Sequence, residues 1–188
     1  MKDPANLQIT LLAKEQYRKF TLHFQYLTDS SYDVQRDSKG LFTITLVKKT
    51  LGHVIQKEFT GHLYDDHLEN PTAFALIHDE QTIGYLEIDR YEWNNRLRVT
   101  ELLILPDFRG QGAGTLLMNH AKQVAQAEHY REIILETQTC NTKAIDFYIK
   151  QGFVVNGIDL SCYTNADIEN HEVRLEMVFR PQGALSNG

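Results

Sequence analysis

Arg109-Gly110-Gln111-Gly112-Ala113-Gly114 is the run of this 188-residue chain best suited to holding a ligand. Its glycines let a backbone approach a ligand closely and adopt φ > 0 where needed. Apolar residues at helical spacing follow, so the run opens a helix. The first N–H groups of a helix lack intrahelical partners, and its macrodipole is positive at that end. Such an end suits an anion such as a pyrophosphate. A Walker A loop is excluded, because Gly114 is followed by Thr115-Leu116 and not by Lys and Ser or Thr. The spacing G-x-G-x-G departs from the dinucleotide fingerprint G-x-G-x-x-G. Glu136, at the end of the next strand, could still imitate the ribose-binding acid, so that reading stays open. So does a glycine-rich strand–helix turn with no ligand.

Two further positions could do chemistry. In the run Leu97, Val99, Glu101, Leu103, Leu105, Glu101 is the only acid on an otherwise apolar strand face. A carboxylate buried there is costly unless it is paired, hydrogen-bonded or raised in pKa, and a raised pKa suits a base working near neutrality. An ion pair with Arg or Lys, or a role in orienting a substrate, is the alternative. Asn141, Ala144 and Tyr148 stand at i, i+3 and i+7 on one helical face, where the small Ala144 leaves room for a ligand. A core tyrosine with its hydroxyl at the surface is the plainer reading of Tyr148. His62, Asp65, Asp66 and His67 have metal-binding residue types without an ordered ligand spacing, so a polar loop and no metal are expected. Cys140 has no histidine in a partnering motif and reads as a buried thiol. Trp93 either lines an acceptor site or covers the core.

These residues need a scaffold. Thr82–Tyr91 and Arg96–Leu105 read as a hairpin joined by Glu92-Trp93-Asn94-Asn95. Leu116, Leu117, His120, Ala121, Val124 and Ala125 give helical spacing over Gly112–Glu128. Ile133-Ile134-Leu135 suits a buried strand. Asn141 caps a helix over Thr142–Lys150, which Gly152 ends. Val173, Leu175, Met177 and Phe179 alternate with charged residues as a half-buried strand. Asp29–Gly40 and Gly61–Pro71 are polar and turn-rich, and are expected to be loops or short helices. The order hairpin, helix, strand, helix, strand predicts a mixed α/β sheet with helices packed on it.

The length fits one domain, placed at residues 1–180, with 181–188 as a frayed tail. A net charge of −6 argues against nucleic acid as a partner. No stretch approaches the twenty apolar residues of a bilayer span, so no membrane partner is expected. Met1-Lys2-Asp3-Pro4 lacks the apolar core of a secretory signal, and two cysteines make no disulfide framework, so a cytoplasmic location is expected. From Glu58 to Asp89 there are eight acids and no Lys or Arg. A solvated acidic surface is the bland expectation, and a surface that concentrates a cationic ligand is the alternative.

The R-x-x-G-x-G/A run at Arg109, preceded by a strand and Pro106, is the acetyl-CoA signature of the GNAT superfamily. Asn141, Ala144, Phe147-Tyr148 and Gly152-Phe153 follow at that superfamily's spacing. The sequence resembles GNAT proteins from about Thr82 to Phe179. Within that span, Arg90-Tyr91-Glu92-Trp93-Asn94, Leu135-Glu136-Thr137-Gln138 and Tyr163-Thr164-Asn165 resemble the streptothricin acetyltransferases. The resemblance implies a GNAT fold, an α/β (α+β) arrangement whose mixed, mostly antiparallel central sheet splays at the acetyl-CoA site between flanking helices. It implies acetyl transfer from acetyl-CoA to a primary amine of a small cationic acceptor. Arg109, Gly110, Gln111, Gly112, Ala113 and Gly114 would bind the pyrophosphate. Leu103 and Ile104 would pair the pantetheine arm through their main chain, with Asn141 and Ala144 along it. Tyr148 would protonate the departing thiolate, and Glu101 would take the amine proton. The streptothricin enzymes carry a second acid just before that position, where this chain has Thr100. Polyamine, aminoglycoside and peptide acceptors, a homodimer, and a non-catalytic acyl-CoA-binding module remain open alternatives.

Overall fold

Strand-like runs between Pro71 and Ile104 are satisfied when the strands pair antiparallel and are covered on both faces, as the consecutive buried residues Leu86 to Asp89 require. A computed structural model, describing residues 6–37 and 40–181, realises that pattern. In chain order the elements are β1 (Leu7–Leu12), α1 (Lys14–Tyr17), β2 (Thr21–Asp37), β3 (Thr43–His62), β4 (Pro71–His78), β5 (Gln81–Tyr91), β6 (Arg96–Ile104), α2 (Ala113–Ala127), β7 (Glu132–Gln138), α3 (Thr142–Lys150), β8 (Val154–Asp159) and β9 (Arg174–Phe179). The described residues fall into two compact units. One comprises residues 6–24, 59–135 and 179–181, and the other residues 25–58 and 136–178.

The first unit is a meander, β1-β4-β5-β6, extended by β7. Leu7 stands opposite His78, Pro71 opposite Asp89 and Gly84 opposite Ile104, all in antiparallel pairs. The expected hairpin is β5–β6. Its turn is a single tight helical turn at Glu92–Asn94, closed by Asn95 in the left-handed conformation at φ 53°. A parallel strand needs a crossover, and α2 supplies it between β6 and β7. The parallel ladder runs only from Arg96 opposite Glu132 to Val99 opposite Leu135, whereas β6 pairs β5 as far as Ile104. That end of the ladder is where the resemblance puts the splay.

A bulge in β6 decides which way the chemistry faces. Ile88 stands opposite Val99 and Glu87 opposite Glu101, leaving Thr100 as the extra residue. An inserted residue turns every later side chain to the other face. Leu97 and Val99 therefore share the face of Leu86 and Ile88, on which α2 packs through Leu117 and through His120, whose ring lies 4.5 Å from that of Phe74. Glu101 and Leu103 belong to the opposite face, with Tyr85, Ala75 and Ala73. The single apolar face expected over Leu97 to Leu105 is thus two faces. On the second face Leu103 joins Leu12, Leu22, Leu63, Tyr64, Ala73 and Ala75 in one buried cluster. Each large aliphatic residue fully buried there contributes about 1.5–3 kcal/mol.

In the second unit β2 and β3 form a two-stranded ribbon, and β8 and β9 pair antiparallel from Val154 opposite Val178 to Asp159 opposite Arg174. The loop expected at Asp29–Gly40 is therefore strand as far as Asp37. Its inward positions include Tyr26, Thr28 and Ser30, whose hydroxyl groups hide the period from any reading based on apolarity. Gly61–Pro71 is a loop only over its middle, since β3 continues to His62 and β4 starts at Pro71. Of the expected tail, residues 182–188 lie outside the described residues. Among the described residues, no helix is long and apolar enough to cross a membrane.

Candidate active site

The glycine run closes the gap between β6 and α2. Pro106–Phe108 makes one tight turn, Arg109 is extended, and Gly110 and Gly112 take φ of +72° and +91°. Nothing lies within 4 Å of a Cβ built at either glycine. Both are therefore needed for conformation, and their backbones are open to approach. Gly112 is the N-cap of α2, with no side-chain cap, and the first intrahelical bond runs from Leu116 N–H to its carbonyl. The amides of Ala113 and Gly114 precede that bond at the positive end of the helix. Arg109 Nε donates to the Ile104 carbonyl at 2.9 Å, and Gln111 Nε2 to the Asp107 carbonyl at 2.8 Å. These two side chains brace the loop whose main chain faces outward.

Glu101 leans on the α-carbon of Gly61, near the end of β3. A Cβ built at Gly61 would come within 2.7 Å of the Glu101 carboxyl carbon. Among the described residues Glu101 has no hydrogen-bond or ion-pair partner. Burial first, then the charges of Glu87 and Asp65, push its carboxyl up to about 7. The alternative of a structural pairing with Arg or Lys is not what this side chain shows among the described residues of the first unit.

The sequence reading missed Glu87. It is wholly buried opposite Glu101, and accepts the Tyr64 N–H at 2.5 Å and the Thr100 hydroxyl at 2.7 Å. Tyr64 is held for this at φ 54°, its own hydroxyl donating to the Leu12 carbonyl and accepting the Ala73 N–H. Burial raises Glu87 as well, against these two donors. Asp89 is equally buried and accepts the backbone N–H groups of Glu69, Asn70 and Arg90. Asp66, Glu69, Asp79 and Glu80 are exposed as a solvated acidic segment would be, but Glu87 and Asp89 are not. The only hint in the sequence was that an acid alternated with apolar residues along β5.

The second unit carries Asn141, Ala144 and Tyr148. Asn141 caps α3, its side-chain oxygen accepting the Ala144 N–H at 3.3 Å, and Gly152 ends the helix at φ 87°. All three expected face residues are half-buried. The Tyr148 ring packs 5.5 Å from Phe147 and 6.0 Å from Phe153. β2 and β3 fix this helix: Tyr32 OH of β2 and Lys48 Nζ of β3 donate to Asp146, Ser30 and Thr142 hydroxyls meet at 3.1 Å, and Tyr32 N–H bonds the Thr139 carbonyl.

Cys140 is fully buried beside the Tyr26 hydroxyl, and burial pushes its thiol up, which disfavours a thiolate nucleophile. Trp93 is 79% exposed and covers no core. Glu136 is already engaged, pairing with Arg174 Nε at 2.8 Å and accepting the Tyr163 hydroxyl at 2.8 Å. That leaves it poorly placed to serve a ribose, and the dinucleotide alternative loses its support.

The Acetyltransferase (GNAT) family model matches residues 34–153. The chain belongs to the acetyltransferase (GNAT) family. Streptothricin acetyltransferase A of Bacillus subtilis (strain 168) is 31% identical over 102 residues, covering 54% of this chain and 58% of that protein. The chain spans under two thirds of the length of the streptothricin acetyltransferases it matches. Among solved structures, a nourseothricin acetyltransferase superposes with a TM-score of 0.71 at 24% identity, covering 94% of this chain and 99% of that one. A Bacillus anthracis str. Ames protein solved in complex with acetyl coenzyme A gives a TM-score of 0.71 at 21% identity, over 95% and 99% of the two chains. The fold is accordingly the GNAT fold, mixed α/β with a mostly antiparallel sheet.

Proposed function

We propose that this GNAT protein transfers the acetyl group of acetyl-CoA to a primary amine of a small cationic acceptor, a streptothricin-type antibiotic being the favoured one. The observation that carries the amine chemistry is the Glu101 carboxyl, half-buried, without a partner among the described residues and raised to about 7. A lysine-like amine is protonated near neutrality and must lose a proton before it can attack. A carboxylate with that affinity can take it, directly or through a water.

The amine nitrogen then bonds the thioester carbonyl carbon. A backbone N–H at Ile104 or its neighbour polarises the carbonyl oxygen. The C–S bond breaks, and Tyr148 gives its proton to the CoA thiolate. The amides of Ala113 and Gly114, with Arg109, Gly110, Gln111 and Gly112, bind the pyrophosphate; Leu103, Ile104, Asn141 and Ala144 line the pantetheine arm. The acetyl-CoA complex of the Bacillus anthracis protein supports acetyl-CoA as the donor, and the names of the streptothricin relatives support the class of acceptor. The cytoplasm is the location that goes with this reading.

Thiol release from acetyl-CoA tests the reading on streptothricin, spermidine, an aminoglycoside and a peptide with a free N-terminus. Release with streptothricin alone supports the favoured acceptor. Release with another amine keeps the chemistry and replaces the acceptor. Binding of acetyl-CoA with no release on any amine would favour a binding module.

A further inference from the structure

Two carboxylates stand on one rung of the first unit's sheet. Glu87 on β5 and Glu101 on β6 are direct partners in the antiparallel ladder, so their Cβ atoms lie on one face at roughly 5 Å. Their surroundings differ. Glu87 is wholly buried and clamped by a backbone N–H from Tyr64 and by the Thr100 hydroxyl. Glu101 is given space by Gly61 and has no donor among the described residues.

We propose that Glu87 is a positioning residue for Glu101: as the clamped, first-ionised member of a two-carboxylate pair, it fixes the pair's proton on Glu101. The inference rests on the reading of Glu101 as the base. Two like charges on one rung cannot both form cheaply, and hydrogen bonds to an ionised carboxylate favour its charged form. Both donors go to Glu87. Its charge, added to burial, then makes Glu101 the second group to ionise, and the pair titrates in two steps.

The other groups of the first unit around Glu101 do not alter that order. Asp65, after β3, adds negative charge. Asp89 and Arg98 face each other across the adjacent register positions of the same sheet face, and Asp89 is bound by three backbone N–H groups. β4 contributes Ala73 and Ala75, and β3 contributes Gly61, none of which is charged. The Thr100 bulge has a purpose here beyond its twist. It brings a hydroxyl to Glu87 while turning Glu101 onto the same face.

The test is a carboxyl-13C NMR titration of the full-length, glutamate-labelled protein from pH 4 to 9, with thiol release on streptothricin measured over the same range. Glu101→Gln should delete the upper of the two coupled steps and so assign it. Glu87→Gln keeps the shape and can still accept from Tyr64. It should lower the Glu101 midpoint by about one pH unit, a roughly tenfold change in proton affinity. An unmoved midpoint overturns the inference. If Glu87→Gln does not fold, Thr100→Val removes one clamp and leaves both carboxylates. The lower step should then rise, and a fixed lower step overturns the inference equally. The reading of Glu101 as base fails separately, if Glu101→Gln keeps the wild-type acidic limb of turnover.

Discussion

The carboxyl group of Glu101 rests on the bare α-carbon of Gly61, both Cδ and Oε2 lying 2.7 Å from where a Cβ would be. Gly61 is not in the left-handed region, so its lack of a side chain serves space and not backbone conformation. Glu101 owes its direction to this contact and its face to the Thr100 bulge.

Gly61→Ala should therefore cost activity more than stability. The added methyl forces Glu101 off its position, at about 1 kcal/mol for a strained rotamer. Turnover in the thiol-release assay should fall roughly tenfold or more, because a small displacement of a reacting group is expensive. The thermal midpoint should drop by only a few degrees. Turnover equal to wild type would show that the Glu101 position is unimportant.

Stability should depend on pH through Glu101. Its folded pKa of about 7 lies above the ordinary 4.5, so the native state binds the proton more tightly than the unfolded chain. The stabilisation is full below pH 4.5 and is lost as pH rises through about 7. Glu101→Gln, which cannot ionise, should gain up to about 3 kcal/mol relative to wild type at pH 8, less whatever solvent screening of this half-buried group removes, and little at pH 4.5. Urea melts at the two pH values check the difference.

Tyr148→Phe removes one hydroxyl and keeps the ring contacts with Phe147 and Phe153. Turnover should fall by about 10²-fold, the usual scale for losing a general acid, while acetyl-CoA affinity measured by calorimetry stays within about threefold. Unchanged turnover would remove Tyr148 from the reaction.

Gly112→Glu should abolish acetyl-CoA binding. At φ +91° any L side chain is strained by about 1 kcal/mol, and a carboxylate there repels the pyrophosphate as well. Gly112→Ala carries the strain without the charge, and should keep measurable binding in equilibrium dialysis. Equal losses for both variants would assign the effect to the backbone alone.

The elements around the glycine run could be read from the sequence because local signals coincide there. Asn141 and Gly152 bracket α3 by capping chemistry, and α2 follows an apolar stripe of period 3.6. The β2–β3 ribbon was illegible because inward positions such as Thr28 and Ser30 are bound through hydroxyl groups and not through apolar burial. Glu87 escaped notice for a related reason. An acid's burial depends on donors supplied by Tyr64 and Thr100, 23 and 13 residues away.

By itself, the sequence determined the β5–β6 hairpin, α2, β7, α3 and β9 in their order, though not β8, together with the helix start at Gly112 and the GNAT resemblance, because caps, turns and periodicities act over a few residues. Tertiary structure alone decided that Thr100 is a bulge, that Glu101 shares a face with Glu87 rather than with Val99, and that Gly61 makes room for it. Those are matters of register between strands, and register is set by the partner strand and not by the strand's own residues.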